Sequence, residues 1–159
     1  MDFSRLDRSE LIGVIAGLAL AVSLFLPWYS LGGDVVRDEP DDFVCGVGND
    51  SCSAFDTFPI LRWLLLLAAS APIILTYIVA RGHVLTWPRG ELTAIAGLTA
   101  MVLIAFNGFV DKPSVNDIAI SLDYGYFIGL LASIGIFIAG GFRAVESGGG
   151  AQRKPPATF

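Results

Sequence analysis

The chain has 159 residues, of which 54% are hydrophobic and 16% charged, and its formal net charge is −5. A soluble domain of this size carries roughly 25% charged residues, so the deficit indicates a membrane protein. Lys and Arg are scattered rather than gathered in a stripe, which argues against a nucleic-acid partner. Two cysteines and a single histidine cannot assemble a zinc site, and neither a metal nor another cofactor is expected.

Residues 1–10 are a short charged lead with Arg5 and Arg8, after which the chain turns almost wholly apolar. About 20 residues cross a 30 Å hydrocarbon core, so a first span is expected over 11–31, with Trp28 onward in the far interface. A signal peptide has a similar beginning, but no small-x-small cleavage site follows at a suitable distance, which favours an uncleaved helix. Further spans are expected over 60–80, 92–110 and 122–142. Backbone in hydrocarbon must satisfy its own hydrogen bonds, so these are read as helices. The connectors 81–91 and 111–121 are short, which makes the later helices antiparallel neighbours. The fold expected is thus an all-α membrane protein, a four-helix transmembrane bundle in up-down order over residues 1–146. Residues 147–159, rich in Gly, Pro and polar side chains, read as a disordered cytoplasmic tail.

Between the first two spans lies the one long polar segment. It carries Asp34, Asp38, Glu39, Asp41, Asp42, Asp50 and Asp56 against Arg37 alone, together with both cysteines. Lys and Arg place this segment outside. With a cytoplasmic N-terminus the inner side holds Arg5, Arg8, Arg81, Arg89, Arg143, Arg153 and Lys154, and the outer side only Arg37, Lys112 and Arg62. Both termini are therefore expected in the cytoplasm of a plasma-membrane protein. Trp28, Tyr29, Trp63, Tyr124 and Tyr126 then form an outer interface belt, with Tyr77 and Trp87 on the inner side.

Cys45 and Cys52 enclose a turn-rich run, and under oxidising conditions they are expected to pair and close the outer loop. Two buried thiols or a redox pair are the alternatives, although the C-x-x-C spacing of redox pairs is absent. A short β-hairpin is expected over 34–36 and 43–47, where Val35, Val36, Phe43 and Val44 flank a Pro40 turn. The acidic run 38–42 fits no EF-hand spacing and reads as a solvated loop rather than a calcium site. Ser53-Ala54-Phe55-Asp56 has the form of a capping box, which predicts a short interfacial helix leading into the second span, with Phe55 and Phe58 toward the membrane.

Small residues recur every four positions at Gly13, Gly17 and Ala21, and again at Gly125, Gly129 and Ser133. That spacing lets helices approach closely, here between the first and fourth spans or against a partner protein. Pro72 is expected to kink the second span, with Ser70 or Thr76 helping to satisfy the freed backbone groups. No ionisable residue falls in the middle of a span, and Asn107 is the deepest strong hydrogen-bonding side chain. With no nucleophile beside a base and no phosphate-cradling loop, no catalytic residue is expected and the chain does not read as an enzyme.

The run Leu26-Pro27-Trp28-Tyr29, Ser53-Ala54-Phe55 and Tyr124-Gly125 resembles a group of small four-span membrane proteins common in actinobacteria. The resemblance implies architecture across the four spans. A fainter similarity to the claudin-like fold implies cytoplasmic termini and a large first outer loop holding a Trp and a disulfide, here Trp28 and Cys45–Cys52. The Gly-Leu-Trp signature of claudins is absent before Cys45. The function expected is non-catalytic: a scaffold or accessory subunit in the lipid bilayer that binds another membrane or envelope protein. The alternative is a small channel or transporter formed as a homo-oligomer.

Overall fold

The computed structural model describes residues 8–31, 51–81, 89–110 and 120–149. Most of these are helical. Three helices are long and apolar enough to cross a membrane, α3 (Leu61–Ala80), α4 (Arg89–Phe109) and α5 (Tyr124–Gly149), which makes this a multi-pass membrane protein. Their apolar faces stay outward: Leu67, Ile95 and Leu131 are exposed, as lipid-facing positions are.

The first helix departs from the expectation of a continuous span over 11–31. α1 (Arg8–Ser23) ends early, the chain turns at Leu24–Leu26, and β1 (Pro27–Leu31) follows. The cause is local. Pro27 lacks an N–H and disfavours helical backbone at Leu26, while Trp28 and Tyr29 suit a strand. Several carbonyls that the helix end leaves open nevertheless find partners. Phe25 N–H donates to Val22 O (3.1 Å), Leu26 N–H to Ser23 O (3.1 Å) and Phe55 N–H to Leu24 O (3.0 Å). Trp28 Nε1 also donates to Ser23 O at 2.7 Å, and Ser23 Oγ donates to Leu20 O at 2.7 Å.

β1 is the centre of a small antiparallel sheet, with β2 (Ser51–Ser53) on one side and β3 (Ile120–Leu122) on the other. Ser30 pairs with Ser51 and Ser121, and Leu31 with Ile120. A register irregularity between Pro27 and Tyr29 absorbs the missing donor of Pro27. The strands of the expected hairpin over 34–36 and 43–47 lie outside the described residues. So does Cys45, and with it the expected Cys45–Cys52 bridge.

α2 (Ala54–Thr57) is the short helix predicted from the capping box. Asp56 N–H donates to Ser53 Oγ (3.2 Å), and Ser53 Oγ donates in turn to Asp56 Oδ2 (2.7 Å). Phe58, expected to face the membrane, is half-buried: it packs against the core and meets Tyr29 edge-on while also lining an open surface groove. α5 continues to Gly149 rather than ending near Phe142, so the predicted tail boundary at 147 falls within a helix.

α1 lies against α3 and α5, α3 against α4, and α4 against α5 in the most extensive of these contacts. Between them runs a core of Leu20, Leu24, Leu65, Ala69, Ala100, Ile104 and Ile136, each no more than 2% exposed. α3 passes through Pro72 as one helix. Pro72 is buried where α1 crosses, and Ser70 Oγ donates to Leu67 O (2.8 Å) rather than to a group freed by the proline.

Candidate functional site

Among the described residues, polar chemistry gathers at each end of the helices. The first is the sheet. Because β1 is central and both neighbours are antiparallel to it, the end of β1 at Leu31 lies beside the starts of β2 and β3. Segment 32–50 therefore leaves and returns at the same edge to which segment 111–119 returns. The attachment points of two connectors distant in sequence thus lie at one rim. Ser30 and Ser121 join Oγ to Oγ at 2.8 Å across the pair, and Asp123 N–H donates to Trp28 O at 2.8 Å, fastening α5 to the strand.

Aromatic rings underlie this rim. Trp28, Tyr29 and Tyr126, expected in an outer interface belt, are 0%, 1% and 0% exposed and belong to the core. For Trp28 and Tyr29 the reason is that the chain leaves the helix and turns inward as β1. Trp28 meets Tyr126 edge-on at 5.7 Å, and Tyr29 OH donates to Asn107 O at 3.1 Å. Asn107 in turn donates from Nδ2 to Leu103 O (2.8 Å), so its side chain bonds within α4. Trp63 and Tyr124 do face outward, at 60% and 52% exposure. Cys52 is buried on β2, opposite Tyr29.

The small-residue ladders serve closer contacts than simple helix crossing. A methyl group on Gly129 would sit 2.9 Å from the Trp28 ring and 3.0 Å from Ser23 Oγ, and one on Gly125 would strike the Pro27 carbonyl. These positions of α5 therefore make room for β1 and its Trp, not for the Gly13–Gly17 ladder. Gly17 packs on α3: a methyl there would lie 2.6 Å from Ala69 O and 3.0 Å from Pro72. Gly13 lies between α3 and α5, with a methyl 3.5 Å from Pro72 and 3.6 Å from Ala139, and Ala16 meets Gly135 of α5. Ala21 is partly buried against the core, and Ser133 is fully buried with its Oγ donating to Leu130 O (2.7 Å). Sequence reading passed over a further set in which backbone meets backbone: Gly90 and Gly97 of α4, and Gly140 of α5, each lie against the partner helix's backbone. Their spacing was visible as Gly90-x-x-x-Ala94-x-x-Gly97, a small-residue face along α4.

The second polar place is at the opposite end. Glu10, in the first turn of α1, forms an ion pair with Arg143 near the end of α5. The residues are 6% and 9% exposed, and Ser9 and Thr93 are buried with them. Glu10 also suits its position, since a carboxylate is favoured in the first turn of a helix. In the sequence Glu10 belongs to a short charged lead and Arg143 to the basic cytoplasmic side. The signal it lacked was tertiary, since no spacing links residues so far apart. Among the described residues no three His, Cys, Asp or Glu side chains cluster as a metal site.

No protein-family model matches this chain, and no curated protein matches it in sequence.

Proposed function

We propose that this protein is a non-catalytic scaffold or accessory subunit of the plasma membrane, whose outer end binds another membrane or envelope protein. In this reading α1, α3, α4 and α5 form a four-helix transmembrane bundle in up-down order with both termini cytoplasmic. The sheet then stands at the outer face, and Cys45 and Cys52 close the acidic segment between β1 and β2. The observation that supports the reading is the rim of the sheet. It brings the attachment points of two polar connectors together on a base of buried aromatics, a rigid mount for a composite surface. The acidic balance of segment 32–50 would steer a cationic partner surface toward that mount.

Site-specific photo-crosslinkers test this in native membranes. Placed at Val36 and at Asn116, they should capture the same partner, while one at the lipid-facing Leu18 should not. Adducts arising only from Leu18, or different proteins at the two outer positions, would reject a composite outer surface. Orientation is tested separately with single cysteines and a membrane-impermeant thiol reagent, in a background lacking Cys45 and Cys52. Labelling in intact cells is expected at residue 36 and not at residue 150.

A further inference from the structure

Arg62 stands in the first turn of α3, at the level of the outer rim, and its charge has no carboxylate partner among the described residues. Its guanidinium lies 4.8 Å from the Phe55 ring centroid and 5.6 Å from that of Trp63. Nη1 donates to Phe55 O at 2.9 Å, and Nε is covered without a hydrogen bond. Nη2 is neither bonded nor among the buried polar atoms, so it is the amine left open to a ligand. α3 begins here at Ile60 with no side-chain cap, which adds the positive end of a helix to the same turn.

Beside this cation an open groove of about 260 Å³ runs along Phe58, Pro59, Ile60, Leu61 and Leu64, with an entirely apolar lining. Arg62 N–H donates to the carbonyl of Phe58 (3.2 Å), so groove and cation share one turn of chain. An unpaired guanidinium flanked by aromatic rings at headgroup depth, next to an apolar furrow, complements one kind of molecule in its surroundings. We propose that this turn is a phospholipid-binding site, with the lipid phosphate on Arg62 Nη2 and an acyl chain along the Phe58–Leu64 groove. Arginine suits the task because its planar donors stay charged and bond phosphate oxygens directly. The phenyl and indole rings hold the guanidinium in place and exclude water from one side.

Native mass spectrometry of detergent-solubilised full-length protein, titrated with phosphatidylglycerol or with diacylglycerol of matched chains, tests the site. Wild-type protein is expected to retain phosphatidylglycerol and to release diacylglycerol, which fills the groove but lacks the phosphate. Arg62→Gln should weaken phosphatidylglycerol retention by at least about tenfold, the loss of one charge-assisted hydrogen bond. Leu64→Trp, which fills the groove from an exposed position and leaves Arg62 intact, should weaken it too, whereas Ile95→Trp on the lipid face of α4 should not. Equal retention of the two lipids by the wild type would overturn the proposal. So would Ile95→Trp acting as strongly as Leu64→Trp, or displacement of the lipid by millimolar inorganic phosphate, which would indicate a bare anion site.

Discussion

Replacing Glu10 and Arg143, singly and together, tests the buried ion pair between α1 and α5. At 6% and 9% exposure neither group is hydrated, so their attraction is little screened. Unit charges about 4 Å apart interact by roughly 4 kcal/mol at an effective dielectric of about 20. Removing one partner of such a pair costs about 3–5 kcal/mol, because the remaining charge stays buried with this ion pair broken. Glu10→Leu and Arg143→Leu should each be destabilising by that order. The double variant Glu10→Leu/Arg143→Leu should return to within about 1–2 kcal/mol of the wild type, since an apolar pair of similar volume substitutes well for a buried ion pair. Reversible unfolding in mixed micelles at several pH values measures all four proteins. Single costs that simply add, with a coupling below about 0.5 kcal/mol, would refute the claim that the pair acts as a unit.

Adjacent glycines on α5 provide a matched comparison. Gly140 faces the α4 backbone at Ala94, and a Cβ on Gly141 meets nothing within 4 Å, so Gly140→Leu should abolish folded yield while Gly141→Leu stays within about 0.5 kcal/mol of wild type by thermal stability in detergent. Trp28→Ala should cost about 3–5 kcal/mol by emptying the space beneath the sheet, and Trp28→Phe about 1 kcal/mol through loss of the Nε1 bond to Ser23 O, both read by denaturation of the purified protein. Replacing Cys45 and Cys52 together with Ser should speed limited proteolysis of segment 32–50 and leave the helices assembled, because a bridge over so short a loop contributes about 2–3 kcal/mol. Unchanged cleavage would remove the bridge from the account.

Composition and run length determined that this chain crosses a membrane several times, and where α3, α4 and α5 lie. Apolar stretches of spanning length leave a backbone no other economical way to bond in hydrocarbon. The capping box of Ser53 was also legible, since its partners are three residues apart and need nothing distant. The first span misled because an apolar run has the same composition whether it continues as a helix or turns into a buried strand. Pro27 marked the break, but Trp28 and Tyr29 could be read as an interface belt until α5 was seen to cover them. Only the tertiary structure decided which glycines face backbone, that β1 separates β2 from β3, and that Glu10 meets Arg143. Each of these is a relation between residues far apart in the chain. Hydropathy records how much a residue favours lipid over water, and in a bilayer a side chain facing lipid and one facing another helix satisfy that preference equally well. The choice between them is made by shape and by pairing, which appear when the helices come together.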